Sequence, residues 1–176
     1  NFVAIEAELS TLRLEVDDVL ELARELVTEV MGTSDPQEIL PQHGPGAVAT
    51  GETTWTKWYF GHFVPELHEK YPYWEYFVPS WKAAIDQVPW YKTLQRQKAV
   101  ARLFDVPKDS RGPRLISMEP LEVQFIQQGQ KKLLYNVIES APLTRGLVNF
   151  TDQGINRVVA KRSSLTGEYA TLDMKE

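Results

Sequence analysis

Apolar residues recur every three or four positions along residues 5–31, and acidic residues occupy many of the positions between them. This spacing predicts one long amphipathic helix, and Gly32 stands where a C-terminal cap belongs. The same periodicity returns in residues 121–139, where Pro120 suits the first helical position and Gly129 interrupts the apolar series. We therefore expect two long helices, with a close helix crossing at Gly129.

The segment between these helices has two parts of different amino-acid composition. Residues 34–55 contain three prolines and three glycines, which predict a loop with at most one helical turn. His43 opens a sharp turn, HGPG, and serves either as a turn residue or as an acid–base group or ligand; a lone histidine favours the turn. Residues 55–91 are rich in aromatic rings, which could stack bases or line a sugar groove, although core packing is favoured.

Short strands are predicted in the second half of the chain. Residues 114–118 alternate along the chain in the way a strand with two different faces does. Residues 148–164 predict a short basic helix, and Gly167 then marks a turn before a strand that reaches Asp173. The predicted fold class is α+β and mostly helical.

The charge is distributed unevenly along the chain. Residues 1–91 contain 5 Lys or Arg against 15 Asp or Glu, a net charge of −10, whereas residues 92–176 contain 14 against 9, a net charge of +5. A basic second half indicates an anionic partner, although an unevenly charged solvated surface gives the same numbers. The absence of cysteine excludes disulfides and thiolate chemistry, and no apolar run reaches the roughly eighteen residues of a membrane span.

Three cations stand at three-residue intervals in VPKDSRGPRLISMEP, residues 106–120: Lys108, Arg111 and Arg114. A Gly-Pro pair separates the two arginines, so this spacing does not describe a helical face and predicts a loop that leads into a strand. Cations on a restrained loop suit a triphosphate, with arginine making forked contacts and lysine acting as a point charge. A solvated basic loop is the alternative, and no GxxxxGK[ST] phosphate loop is present.

Asp173 ends the last predicted strand. An acid at the end of an apolar strand is costly to bury without a partner or a metal ion. A capping acid at a strand-to-loop turn is an equally good interpretation.

Three segments together resemble a known family: VPKDSRGPRLISMEP, then VNFTDQGINRVVA, then LTGEYATLDM. Their order and spacing, across residues 104–176, are similar to those of the replicase subunit of single-stranded RNA bacteriophages, an RNA-directed RNA polymerase of the right-hand fold. The upstream HGPGAVATGE resembles the glycine-rich segment that precedes the aromatic region in many of these replicases, whereas residues 1–40 match only in helical character.

The resemblance implies a division into three parts: residues 1–103 as the helical, aromatic-rich N-terminal and fingers region, residues 104–166 as fingers with the nucleotide-channel loop, and residues 167–176 as the start of the palm. The family's Gly-Asp-Asp hairpin, which supplies further metal-binding carboxylates, does not occur before Glu176. We therefore expect an internal fragment with half of an active site and no turnover of its own.

By this resemblance Lys108, Arg111 and Arg114 hold the incoming nucleoside triphosphate. Asp173 is the catalytic aspartate of the first palm motif and binds Mg²⁺, or Mn²⁺ in its place, and the backbone carbonyl of Met174 faces a metal ion as well. A second group, Asp152, Gln153 and Asn156, matches a DQ-x-IN segment that we interpret as organising the junction of fingers and palm.

The implied partners are the RNA template and product and the nucleoside triphosphates, with no membrane, in the cytoplasm of an infected bacterial host. Some relatives recruit host translation factors as replicase subunits, but no residue pattern here shows such a surface. Two alternatives stay open on the residues alone, a non-catalytic RNA-binding module and a helical scaffold domain.

Overall fold

The structure, a computed structural model, describes residues 2–11, 17–78, 82, 90–109 and 112–170. The chain divides into two compact units, one of residues 35–136 and one in which residues 1–34 join residues 137–176. Helices and short strands both occur and helices prevail, so the predicted α+β class is confirmed. Within the described part of the chain, no helix is long and apolar enough to cross a membrane.

The α-helices of the described residues are α1 (Phe2–Thr11), α2 (Asp17–Met31), α3 (Pro65–His68), α4 (Tyr73–Tyr76), α5 (Leu121–Ser140) and α6 (Gly154–Thr166). A 3₁₀-helix covers Trp90–Thr93. The strands are β1 (His62–Phe63), β2 (Gln95–Arg96), β3 (Arg102–Asp109) and β4 (Gly112–Met118). Strands β1 and β2 pair in parallel, and β3 pairs with β4 in an antiparallel hairpin.

The helix predicted for residues 5–31 is described as α1 and α2, because residues 12–16 lie outside the described residues. The predicted cap is confirmed: Gly32 has a φ of 54°, and its N–H donates to the carbonyl of Thr28 at 2.9 Å. Most apolar side chains of α2 stay exposed, Val19 at 62% and Val27 at 61% among them, whereas Val30 and Met31 are half-buried.

Aromatic rings form the core of the unit of residues 35–136. Tyr73 and Phe77 are fully buried and stack with their ring centroids 4.3 Å apart. Phe125 of α5 packs against the Phe77 ring at a centroid distance of 5.6 Å. The expectation of core packing is therefore confirmed for these rings, whereas Trp55 and Tyr59 stay exposed at 86% and 76%.

The buried phenol of Tyr73 also satisfies the backbone around it. Its hydroxyl accepts a hydrogen bond from the N–H of Val64 at 3.1 Å, and its own N–H donates to Nδ1 of His68 at 3.1 Å. Burial raises the pKa of the Tyr73 phenol far above its ordinary value, so the ring stays neutral. A neutral hydroxyl at this point keeps a buried backbone N–H paired, which an apolar ring would not do.

Gly129 lies where α5 meets another segment of the backbone. A Cβ atom at this position would stand 3.1 Å from the carbonyl oxygen of Leu40 and 3.1 Å from Cα of Pro41. The close helix crossing predicted at Gly129 is wrong: α5 does approach another backbone segment closely here, but that segment is irregular and not a second helix. The reason is that Pro41 lacks a backbone N–H and a free φ, so this segment cannot continue a helix.

We predict that Gly129→Ala lowers the free energy of unfolding by about 1–2 kcal/mol. Overpacking costs about 1–3 kcal/mol, and the better helix propensity of alanine offsets up to about 1 kcal/mol of it. Chemical denaturation measures the difference. Gln127→Ala, at an exposed position of the same helix, is the control and should change stability little. An alanine variant as stable as the parent chain would contradict the close approach.

Candidate nucleotide-binding hairpin and its buried support

The predicted cation loop folds as a β-hairpin. Val106 of β3 pairs with Arg114 of β4, and Asp109 pairs with Gly112, so that residues 110–111 alone separate the two strands. Lys108 therefore lies on β3, and the expectation of a loop extending to Arg114 is corrected. Antiparallel pairing is regular from Arg102 to Val106, and after a shift in register it resumes at Asp109, next to the tip of the hairpin.

Pro107 and Gly112, residue types that usually interrupt strands, both lie within the hairpin. The register shifts between Val106 and Asp109, and Pro107, which has no N–H to donate, lies inside this irregularity. Gly112 has a φ of 137°, in the left-handed region that favours glycine, at the point where the chain returns into β4. Proline and glycine here shape the hairpin and do not end it.

The sequence-predicted site residues are described only in part. Arg114 is exposed on β4, and the side chain of Lys108 lies outside the described residues, although its backbone is part of β3. Arg111, Asp173 and Met174 lie outside the described residues altogether. Residues 168–170 precede Asp173 and form no strand.

The hairpin register adds one cation that sequence reasoning did not single out. Arg102 pairs with Met118, Phe104 pairs with Ile116, and Val106 pairs with Arg114, so these six residues share one face of the ribbon. Arg102 and Arg114 are both exposed and lie at opposite ends of this face. The face offers two forked cations with apolar side chains between them.

The base of the hairpin is attached to the glycine-rich segment of residues 43–51. The N–H of Ala49 donates to the carbonyl of Glu119 at 2.9 Å, between the end of β4 and the start of α5. The N–H of Leu121 donates to the hydroxyl of Thr50 at 3.2 Å. This N–H is one of those at the start of α5 that have no partner within the helix, so Thr50 satisfies it. The glycine-rich segment thus fixes the point at which β4 turns into α5.

A buried lysine holds the glycine-rich segment in place. Lys57 is only 3% exposed, and its ammonium donates to the carbonyls of Gly44 at 2.7 Å and Gly46 at 2.5 Å. Oε1 of Gln124, on α5, lies 3.4 Å from the same Nζ, and Nε2 of Gln124 donates to the carbonyl of Ala47 at 3.2 Å. The ammonium is solvated by protein oxygens from two segments, and it joins them.

His43 is packed among rings beside this lysine. Its ring centroid lies 4.5 Å from that of Trp58, in an edge-to-face arrangement, and 4.6 Å from that of Phe125. Neither ring nitrogen has a hydrogen-bond partner among the described residues. Burial lowers the pKa of His43, and the charge of Lys57 lowers it further, so the imidazole stays neutral. The interpretation of His43 as a turn residue misses this packing.

Glu122, in the first turn of α5, is completely buried. Its Oε1 accepts the N–H of His62 at 3.3 Å and lies 3.8 Å from Nδ1 of the same residue. Its Oε2 has no hydrogen-bond partner among the residues described. Burial raises the pKa of the Glu122 carboxyl above its ordinary value, which favours the protonated form.

Lys57 and Glu122 both have structural roles. The Lys57 ammonium and Oε1 of Glu122 are bonded mainly to backbone groups, which fixes the segments that they join. Lys57 stands in an aromatic run and Glu122 in a first helical turn, where an acid is usually solvated, so neither carried a sequence signal.

The DQ-x-IN residues lie together at the start of α6. Oδ1 of Asp152 accepts the N–H of Gly154 at 2.8 Å, and Nδ2 of Asn156 donates to Oε1 of Gln153 at 3.0 Å. The preceding turn is tied to α5, since Glu139 accepts hydrogen bonds from the hydroxyl and the N–H of Thr151, both at 2.7 Å. These bonds lower the pKa of Glu139. The segment has a local structural role, and its proposed place at the fingers–palm junction stays a prediction.

No group of three or more His, Cys, Asp or Glu side chains within the described part of the chain is arranged to hold a metal ion. Asp173, the predicted ligand, lies outside that part. The Mg²⁺ expectation therefore rests on the sequence resemblance.

We predict that replacing Glu122 by Gln stabilises the chain increasingly as the pH rises. The pKa of Glu122 is higher in the folded chain than its ordinary value of 4.5, so the folded state binds more protons than the unfolded state between the two values. The parent chain therefore loses stability across this range as the pH rises, and the Gln variant does not. Urea denaturation from acidic to mildly alkaline pH measures the difference.

Glu38→Gln, at an exposed position in the same unit, is the matched control. His43 contributes with the opposite sign in both chains: its pKa is lowered on folding, so its stabilising contribution is lost as the pH falls below about 6.5. A stability difference between Glu122→Gln and the parent chain that stays constant with pH would contradict the raised pKa.

Comparisons of the chain with protein-family models, with curated proteins and with solved structures gave no match. The resemblance to phage replicases consequently rests on sequence motifs alone, those of residues 104–176 and the upstream HGPGAVATGE.

Proposed function

We propose that this chain is the fingers region, with the first palm strand, of an RNA-directed RNA polymerase that replicates a single-stranded RNA phage genome. The parent enzyme joins the 3′-hydroxyl of a growing RNA to the α-phosphate of an incoming nucleoside triphosphate and releases pyrophosphate. The observation that carries this proposal is the cation motif of residues 106–120 on an anchored, exposed hairpin.

The geometry of the hairpin supports a role in binding a triphosphate. A triphosphate carries several negative charges that shift in the transition state, and fixed cations stabilise them without reorganisation. Exposed Arg114 lies on a paired strand and not on a mobile loop, so less conformational entropy is lost when it binds phosphate. The backbone of Lys108 is part of the facing strand, two residues beyond the partner of Arg114.

The anchored base supports the same role. A two-stranded hairpin is marginally stable by itself in water, and its direction depends on what holds its ends. Here the hydrogen bonds of Ala49 and Thr50 fix the start of α5 directly after β4. A rigid base lets the hairpin form one wall of a channel, while the opposite wall comes from the palm of the parent enzyme.

The proposal assigns Asp173 and the carbonyl of Met174 to Mg²⁺. Oxygen ligands of this kind suit Mg²⁺, and the bound ion would stabilise charge on the transferred phosphate. Two-metal catalysis needs further carboxylates, which the parent enzyme would supply from its Gly-Asp-Asp hairpin.

We predict that Arg114→Ala, introduced into the complete polymerase, raises the KM for nucleoside triphosphates or lowers kcat by more than about tenfold, because a forked phosphate contact is lost. Arg114→Lys keeps the charge without the fork and should recover part of the loss. Steady-state RNA synthesis measures both variants, with Lys70→Ala, an exposed cation of the same unit, as the control. Normal kinetics in Arg114→Ala would remove this residue from the nucleotide site.

We predict that Asp173→Asn in the complete polymerase abolishes RNA synthesis and leaves the melting temperature unchanged, since the amide is isosteric but a much poorer ligand for Mg²⁺. The matched control is Asp18→Asn, at an exposed position of α2. Retained synthesis by Asp173→Asn would exclude this residue from the metal site.

A further inference from the structure

Helix α2 has an apolar face that stays exposed. Apolar residues recur along this helix every one to three positions and gather on one side of it, opposite its charged residues. The members of this face that are exposed are Val19, Leu20, Leu22, Ala23, Leu26 and Val27. A continuous apolar face of this size on a charged helix indicates an interaction surface, because covering it removes apolar area from water.

Acidic residues border the apolar face of α2. Asp18 and Glu25 stand four and three positions from Leu22, so both carboxylates lie beside that leucine on the helix surface. Glu29 stands three positions from Leu26 in the same way. The whole helix contains five acidic residues and one arginine. Such a surface suits an apolar face that is bordered by cations.

Helix α6, in the same compact unit, has the complementary surface. Val158 and Leu165 lie two turns apart on one face and are 68% and 80% exposed. Lys161 and Arg162 each stand three or four positions from both of them, so the two cations lie on either side of this apolar pair. Arg162 is partly neutralised by an ion pair of 2.7 Å with Glu168, whereas the helix itself contains no acidic residue.

The two faces do not cover each other within one copy of the chain. Both stay exposed although both helices belong to one compact unit. The helices match in length, about 22 Å for the 15 residues of α2 and about 20 Å for the 13 residues of α6. One helix can therefore cover the other along its full length when they come from different copies.

Charge selects between the surfaces that could cover α2. A second α2 would bring acidic borders together, which repel each other. A membrane surface is usually anionic, and helices that lie on it are basic on their polar face, unlike α2. The cation-bordered face of α6 is the one described surface that combines exposed apolar side chains with the opposite charge on a helix.

We propose that a second copy of this chain covers both faces, with α2 of each copy packed against α6 of the other. A two-fold axis makes the same contact twice and closes the assembly at two copies. Apolar side chains supply most of the affinity, and the charges select the partner helix. Neither helix contains a residue that the proposed function assigns to the nucleotide or the metal ion, so this association is independent of it.

The experiment measures the molar mass of the 176-residue chain by sedimentation velocity over a series of protein and salt concentrations. The monomer has a mass of 20.2 kDa, and we expect twice this mass at high protein concentration. Added salt should weaken the dimer without abolishing it, because salt screens the charges and leaves the apolar contact intact.

Charge reversal tests which helices meet. Glu25→Lys and Lys161→Glu should each weaken the dimer by about tenfold, because like charges then meet in both contacts. An equimolar mixture of the two variants should dimerise as the parent chain does, since the reversed charge of one variant meets the reversed charge of the other. The controls are Glu21→Lys, on the opposite side of α2 from the apolar face, and Lys70→Glu, in the other unit.

Serine substitutions test the apolar contact. Leu22→Ser and Val158→Ser should each weaken the dimer by about tenfold or more, because every dimer loses the side chain twice. Leu147→Ser, which changes an 80% exposed leucine of the same unit outside both helices, is the matched control and should dimerise normally. Circular dichroism verifies that each variant is folded.

Three results would overturn the proposal. A chain that stays monomeric at every concentration would leave the two faces to another protein or to each other. A dimer that neither charge reversal weakens, or that the mixture of reversed variants does not restore, would use a different surface. A mass that grows beyond two copies would exclude the two-fold arrangement.

Discussion

The buried ammonium of Lys57 is the interaction on which the unit of residues 35–136 depends. It is held by neutral oxygens of the glycine-rich segment and of α5, at distances from 2.5 to 3.4 Å. Moving a charge out of water is costly, and only a full set of hydrogen bonds compensates for it. The glycine carbonyls and Gln124 supply these bonds, and in doing so they fix an otherwise irregular segment against a helix.

The position of the hairpin follows from this contact. The glycine-rich segment, once fixed, pairs with Glu119 and caps α5 through Thr50, so the end of β4 has one defined direction. His43 packs beside Lys57, and Glu122 is buried in the first turn of α5. Burial lowers the pKa of His43 and raises that of Glu122, because burial penalises charge on either group. The Lys57 ammonium itself is bonded to uncharged backbone and amide oxygens.

Two surfaces of the basic second half of the chain carry exposed cations. Exposed arginines lie on the hairpin, and Arg157, Lys161 and Arg162 lie on α6, which has no acidic residue. These two surfaces belong to different compact units, and each combines cations with apolar or aromatic side chains. Charge supplies long-range attraction to an anionic partner, while the apolar side chains and the paired strands supply short-range geometry.

The sequence by itself determined the elements whose signals are local. Periodicity predicts helices α5 and α6 and the strand around Arg114, and the conformational freedom of glycine predicts the cap at Gly32. Each of these signals depends only on residues that are close in the sequence. Only the tertiary structure decided that Lys57 and Glu122 are buried, that His43 is packed among rings, and that Pro107 lies within a strand. Lys57 and Gln124 are 67 positions apart. A contact over such a separation is set by the packing of the whole unit, which the pattern of neighbouring residues does not predict.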